Sequence, residues 1–491
     1  MDLLLIDPPY RSLKGISPEC AYHLGLTCLS AYLRAEGLDV AVISADTIPD
    51  LPKSSFLNFN VKKYSEGQKQ YEKILQDENH LVWKKVVQLI RTHSPSAVGV
   101  TYPTPARGSV EKIASLTKKI SSQIKVIVGG HHPTHSPIEV LQNRDIDFVV
   151  RGEGEIPLLA LIKEMRKEEP DLRQVRGIHW RDSNGTIIAN PDASQIPILD
   201  ALPFPGRDSV IGADYSRYRI HMMSTTRGCP NRCTFCADKS LWHGKVRRRS
   251  VESVLQEFRD LKKTYPYLQF IDFTDGTFTY DRSFVEAFCR RMIEENTGIQ
   301  WRCTARYDNL DQEILSLMKR AGCFALYLGV ESGSERILQM TGKDIATAEI
   351  LEKSRLIHKT GIVSIASVMF GIPGETRDDV DKTLSLMRQL KVDLFDVNSY
   401  VPLPGTQLYE ALPEEQKKNI NWEKIAFKSL ENYFDQAIPL EELRQGILEG
   451  YKIATSKKRL FIPLFLGKHI SQTAGRWVSH RAARIGGRTP R

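Results

Sequence analysis

Three cysteines, Cys229, Cys233 and Cys236, fall in the run Arg227-Gly-Cys-Pro-Asn-Arg-Cys-Thr-Phe-Cys-Ala237, directly behind an apolar, strand-like stretch that ends at Thr226. Three thiolates on one short loop can hold three irons of a four-iron cluster and leave the fourth iron open. A zinc site asks for a fourth protein ligand, and no second Cys-x-x-Cys follows. A disulfide reading fails because three closely spaced cysteines cannot all pair. Cys20, Cys28, Cys289, Cys303 and Cys323 read instead as small buried residues.

Behind the cysteine loop, apolar runs at 221–226, 268–274, 300–305, 325–330, 364–370 and 394–400 alternate with helical periodicity at 251–263, 284–295, 312–321, 346–360 and 377–390. Six such units predict a repeated strand–helix fold with its chemistry at the carboxyl ends of the strands. Polar and glycine-rich groups stand at those ends: Asp272 to Phe278 with Asp275 inside it, Arg306, Gly329 to Ser334 with Glu331 and Ser332, Gly371 to Thr376, and Pro402 to Thr406. One such group alone is a turn; four in series behind a cysteine loop point to a site.

The first part of the chain has the same grammar. Short apolar runs at 3–6, 40–43, 97–100, 126–128 and 146–150 alternate with helical stretches such as 24–34 and 110–120. This predicts a doubly wound parallel sheet that binds ligands beyond the carboxyl ends of its strands. Pro9, Thr101, Gly129, Gly130, His131, Gly152 and Glu153 all fall at those ends. A glycine pair at a strand end lets a ligand approach the backbone. Residues 49–80 interrupt the pattern and read as an insertion or lid, and 175–205, with its prolines and Asp-Ser-Asn-Gly turn, as a linker.

The spacing Cys-x-x-x-Cys-x-aromatic-Cys, with Phe235 as the aromatic, resembles the signature of the radical S-adenosylmethionine (SAM) superfamily. The first 166 residues resemble the cobalamin-binding domain fused to one branch of that superfamily, through Leu24-Gly25, Gly-Gly-His-His-Pro-Thr134 and Arg-Gly-Glu-Gly-Glu155. The resemblance implies an α/β chain with a doubly wound cobalamin-binding domain over 1–166, a linker over 167–215, a partial (β/α)6 radical SAM barrel over 216–440 and a short C-terminal segment over 441–491. The implied cofactors are a [4Fe-4S] cluster on Cys229, Cys233 and Cys236, SAM, and cobalamin. SAM contacts fall on Phe235, Asp275, Arg306, Glu331, Ser332 and Gly371, and the strand ends of the first domain serve cobalamin. The Asp-x-His-x-x-Gly motif that supplies an axial histidine in many cobalamin proteins is absent. His131 and His132 are candidate cobalt ligands, but the resemblance favours a supporting or structural role for them, with the lower cobalt face carrying water or nothing.

Most enzymes of this branch methylate carbon or phosphorus centres that are not nucleophilic. The implied cycle uses one SAM to make methylcobalamin and a second to make a 5′-deoxyadenosyl radical. The rivals are a radical cyclase or oxidase that uses cobalamin without methyl transfer, and a cobalamin- or redox-sensing binding protein. The intact cysteine triad and strand-end set disfavour a sensor. The expected partners are a small-molecule substrate and an electron donor such as flavodoxin or ferredoxin.

At 491 residues the chain has room for two or three domains. Its net charge of +9 belongs to the tail: residues 456–491 hold nine basic side chains and no acidic one, so the remainder is neutral. That excludes a nucleic-acid-binding body. The segment 460–466, apolar between basic residues, has the composition of a peripheral membrane contact, although packing on the barrel is the favoured reading. The cysteine usage and the absence of a basic, apolar leader predict a cytoplasmic protein.

Overall fold

In the computed structural model, residues 1–14, 22–47, 61–212, 218–422, 424–434 and 437–457 are described. Cys20 and the basic tail from 458 onward, with its apolar segment, lie outside them. Two sheets organise the chain, each wound from the apolar runs and periodic helices that the sequence shows. Among the described residues no helix is long and apolar enough to cross a membrane.

The first sheet contains β1 (Leu3–Asp7), β2 (Val40–Ser44), β3 (Ala97–Thr101), β4 (Lys125–Gly129), β5 (Phe148–Val150), β6 (Ile178–Arg181), β7 (Ile187–Ala189) and β8 (Val210–Ile211). Their spatial order is β7-β6-β5-β4-β3-β1-β2-β8. The central five strands are parallel and apolar on both faces because helices cover both sides. One core layer holds Leu4, Ile6, Val98, Val100 and Val128, and the other Leu3, Leu5, Val42 and Ile127. The order 2-1-3-4-5 reverses direction between β1 and β3, where such sheets open a ligand crevice.

The segment expected as a linker differs from that reading. β6 and β7 form an antiparallel hairpin on the edge of β5, and β8 pairs with β2. These strands are short, and β7 is half-exposed, so no continuous apolar run announces them. Of the interrupted stretch 49–80, the described part holds the helix Val61–Gln76, whose Tyr71 is buried against the first sheet's core.

The second sheet contains β9 (Ile220–Met223), β12 (Phe270–Phe273), β13 (Gln300–Ala305), β14 (Cys323–Glu331), β15 (Val363–Phe370) and β16 (Leu394–Ser399), all parallel and neighbours in chain order. A two-stranded ribbon, β10 (Thr226–Arg227) with β11 (Arg247–Arg248), carries the cysteine loop between its strands. Since β9 and β16 do not pair, the six strands form an open, partial barrel. Its outer core, from Met223 to Ile447, includes an aromatic group of Phe258, Phe273, Phe278, Phe288 and Trp301. The helix Leu440–Lys457 packs Leu443 and Ile447 into the same core. Cys289, Cys303 and Cys323 are buried there.

Candidate active site between the two sheets

Asp275, fully buried after β12, fixes where the cysteine loop begins. Its carboxylate accepts from the backbone N–H of Thr225 (2.8 Å) and Thr226 (2.6 Å) and from the hydroxyls of Ser224 (3.2 Å), Thr225 (3.1 Å) and Thr226 (2.7 Å). With five donors on it, Asp275 holds the turn between β9 and β10 and is not free to contact SAM, contrary to the sequence expectation. This clamp also explains why β9 stops at Met223.

The loop beyond is tightly packed. A Cβ on Gly228 would lie 2.0 Å from the Lys245 carbonyl, and a Cβ on Gly342 would lie 2.6 Å from that of Arg232, so neighbouring backbone pins the loop from both sides. Asn231 donates to Cys229 Sγ at 3.2 Å and to Thr277 Oγ1 at 3.1 Å, a contact of the kind that tunes a ligated sulfur. Burial raises the Cys233 thiol and pushes Cys236 up to about 12. Iron binding must therefore displace protons. Among the described residues no three His, Cys, Asp or Glu side chains converge on a single ion; a four-iron cluster asks for less convergence, one thiolate per iron. Three cysteines on a pinned loop, with a hydrogen-bond donor to one sulfur, suit that cluster.

Glu331, at the end of β14, is a non-glycine residue at φ +65°, at a break in the β14–β15 register. Its carboxylate pairs with Lys343 Nζ at 2.9 Å, and Lys343 also donates to the Gly329 carbonyl at 2.7 Å. A Cβ on Gly329 would crowd Glu331 Oε1 and Lys343 Nζ, so a side chain there would push the ends of this pair aside. Both charges act on Cys233: burial and the Glu331 carboxylate raise its thiol, and Lys343 opposes them. A strained, buried ion pair beside a cysteine ligand marks a functional position. Lys343 had no signal in the sequence, because its role depends on a contact made across a turn.

The other SAM-side positions divide. Arg306, at the end of β13, is held bidentately by Asp308 (Nη2 to Oδ2 2.7 Å), with its charge felt at Cys229 and Cys233. Phe235 packs beside Ile337, Met369 and Ile372. Ser332 is wholly buried, with its hydroxyl on Thr383 (3.1 Å) and on the N–H of Ser334 (3.1 Å); it shapes the turn and is not open to a ligand, a second correction. The Gly371 N–H donates to Glu375 (2.6 Å), whose carboxyl burial raises to about 8.

Beyond the carboxyl ends of the first sheet lies a cavity of about 660 Å³ at the β1–β3 crevice. Thr101, Gly129, Gly130, Gly152 and Glu153 line it from the first sheet, and Thr226, Arg227, Gly228, Asp272 and Gly276 from the second. Gly130 sits at φ +105°, ψ −165°, a region nearly exclusive to glycine. Gly152, at φ +68°, would direct a Cβ into open space. This glycine-walled cradle fits a large flat ligand such as a corrin. It borders the cysteine loop directly, since a Cβ on Gly276 would lie 3.1 Å from Cys229 Cβ.

Two residues expected at the cavity are elsewhere. Pro9 does not line it; its carbonyl accepts from the Ser109 hydroxyl at 2.5 Å. Its neighbour Tyr10 does line it, fixed through its N–H to Asp46 (3.0 Å). His131 faces away, its ring 4.9 Å from that of His135, and burial lowers it to about 4. His132 is stacked on Tyr102 at 5.0 Å with Trp422 at its edge, in keeping with a structural role.

With this geometry in place, the comparisons with known proteins are specific. The Radical SAM superfamily model matches residues 223–387 and the B12 binding domain model residues 15–162. An uncharacterized methyltransferase of Pyrococcus horikoshii is 30% identical over 429 residues, 86% of each chain. The anaerobic magnesium-protoporphyrin IX monomethyl ester cyclase of Rubrivivax gelatinosus is 28% identical over 69% of this chain and 62% of its own length. The radical SAM methyltransferase TsrM of Kitasatospora setae, solved with tryptophan and a SAM analogue, shares the fold with a TM-score of 0.64 at 17% identity, covering 85% of this chain and 76% of that one. The chain belongs to the radical SAM superfamily, in the branch that carries a B12-binding domain ahead of the radical SAM domain. It is an enzyme of the cobalamin-dependent radical SAM methyltransferase type, with a [4Fe-4S] cluster, SAM and cobalamin as its cofactors.

Proposed function

We propose that this enzyme moves a methyl group from SAM to a carbon or phosphorus centre of a small molecule that is not itself nucleophilic. The observation that carries the reading is the shared cavity: the glycine-walled cradle of the first sheet opens onto the cysteine loop, so one space borders both cofactor sites. When bound, the cluster with SAM supplies a radical that removes a substrate hydrogen, and cobalamin supplies the methyl group.

The protein's part is to position and enclose. Cys229, Cys233 and Cys236 hold the cluster. Glu331 and Lys343 present a carboxylate and an ammonium beside Cys233, a pattern complementary to the zwitterionic amino-acid end of SAM. Arg306 adds a cation for the SAM carboxylate. Phe235 and the Gly371 turn serve the adenosyl side. Gly129, Gly130 and Gly152 keep side chains out of the corrin's path, with Thr101 beside them. The reducing electron comes from a flavodoxin- or ferredoxin-type donor.

The test is anaerobic turnover with methyl-labelled SAM and candidate small molecules. Label should enter the product, with one S-adenosylhomocysteine and one 5′-deoxyadenosine per methylation. Substrate turnover that yields deoxyadenosine with neither label transfer nor S-adenosylhomocysteine would replace methylation by the cyclase or oxidase reading.

A further inference from the structure

Arg227 stands two residues before Cys229, and Glu153 and Glu155 stand one and three residues after Gly152 in the cradle. The structure brings these groups together across the domain boundary. Arg227 Nη2 meets Glu155 Oε1 at 2.5 Å, and Arg227 Nη1 lies 3.4 Å from Glu153 Oε2. Arg247, paired with Arg227 across the β10–β11 ribbon, closes the other side of the network on Glu153 Oε1. Both carboxylates are 4% exposed and both guanidinium groups at most 15%, so the network is sheltered from solvent. Glu153 Oε2 also accepts from the Ile196 N–H at 2.9 Å. Trp242 lies under both guanidinium groups, 5.9 Å from Arg227 and 5.7 Å from Arg247.

We infer that Glu153, Glu155, Arg227 and Arg247 form a positioning strut that sets the separation and angle between the cobalamin cradle and the cluster loop. This rests on the two-cofactor reading above. The strut joins the backbone just after Gly152 of the cradle to the backbone just before the cysteine loop, so movement of one site is passed to the other through short, buried ion pairs. Arg227 stands two residues from Cys229, and Glu153 and Glu155 stand within three of Gly152. A surface pair would not serve, because exposed pairs are weak and mobile. A buried, multiply bonded guanidinium fixes both distance and plane. The residues touch no reacting atom. They act through the loops they hold.

The test is the distance between the two cofactors, read by pulsed electron paramagnetic resonance on frozen holoenzyme in which reduced cluster and cob(II)alamin coexist. Iron and cobalamin content are measured on the same samples. The parent should give one narrow distance. Arg227→Gln and Glu155→Gln, each with full cofactor content, should broaden it or shift it by an ångström or more, the scale of misplacement that costs on the order of 100-fold in rate. The double variant should be no worse than Arg227→Gln alone, because that change already removes the Glu155 pair. Arg227→Lys, which keeps the charge, should recover part of the narrow distribution. If Arg227→Gln loses its cluster, Glu155→Gln decides, since it lies on the other domain. A parent that takes up both cofactors, with a Glu155→Gln variant that keeps the parent's distance, sinks the inference alone. A parent that fails to take up cobalamin or cluster sinks the functional reading and the inference with it.

Discussion

Glu331 combines two features that rarely occur together: a left-handed backbone at φ +65° and a buried carboxylate bonded to a buried lysine. Replacing it with Gln keeps the shape and removes the charge, leaving Lys343 buried without its counter-ion. Such a loss costs about 3 kcal/mol. We expect Glu331→Gln to lower the unfolding free energy by about that amount and to weaken SAM binding roughly tenfold or more, as befits a charged hydrogen bond, with iron content unchanged. Unfolding in denaturant and calorimetric titration with SAM measure both. The cysteines behave differently. Cys229, Cys233 or Cys236 changed to Ala should each abolish the four-iron cluster after anaerobic reconstitution, because no other thiol is on the loop. A cluster surviving the triple substitution would defeat the assignment. The histidines stay outside this chemistry: with His131 turned toward His135 and His132 packed on Tyr102, cob(II)alamin in the protein should show no nitrogen splitting that depends on either ring. Splitting lost in His131→Ala or His132→Ala would assign one of them as the axial ligand.

At the scale of elements, positioning is the work of strand ends and the glycines that follow them. Gly130, at φ +105° and ψ −165°, occupies backbone space that alanine reaches only with strain. Gly130→Ala should cost about 1–3 kcal/mol in the cofactor-free chain and weaken cobalamin uptake, while Gly154→Ala, at φ −84° and ψ −18°, should carry no such backbone penalty. Unchanged stability in Gly130→Ala would show that the cradle relaxes freely. These elements were largely legible in the sequence. β1, β3 and β4 are apolar on both faces, as buried parallel strands must be, and the six barrel strands recur with helices between them. What was not legible is the partner of each polar group. Asp275 looks like a ligand-facing carboxylate at a strand end, yet five donors from Ser224, Thr225 and Thr226 occupy it. Ser332 looks equally free, and Thr383 takes it. Arg227, Arg247 and Lys343 acquire their roles from residues tens of positions away or across a turn, which no local spacing encodes. β6 and β7 show in the sequence only as strand-like fragments within a linker, and β8 gives no signal there, because two to four residues, only partly apolar, do not make a pattern.

At the scale of the whole molecule, the seam between the two sheets is built partly from neutral imidazoles. His132 meets Trp422, His135 crowds Gly405, and His221 takes the Tyr22 hydroxyl at 2.9 Å. Burial lowers His132 and His221 to about 3 and His135 to about 4, from 6.5 in the unfolded chain. A base whose folded pKa is depressed binds fewer protons in the folded state, so stability is full above the unfolded value and falls as pH drops from about 6.5 toward 4. Glu375 works in the opposite sense: raised by burial from 4.5 to about 8, it is protonated in the fold when the unfolded chain has already ionised it. Its contribution is present at low pH and is lost as pH rises through that window. On the acid side His23 and His131, lowered to about 4, add to the three seam histidines, while Asp7 and Asp46, raised to about 6, add to Glu375, so the five histidines prevail. Between pH 6.5 and 8 the Glu375 effect dominates among these described groups. Unfolding free energy of the cofactor-free chain should therefore peak near pH 6.5 and decline on both sides. Glu375→Gln should flatten the alkaline decline and leave the acid one, whereas His221→Phe, which also forfeits the Tyr22 hydrogen bond, should shorten the acid decline. An alkaline limb that persists in Glu375→Gln would locate it in another group.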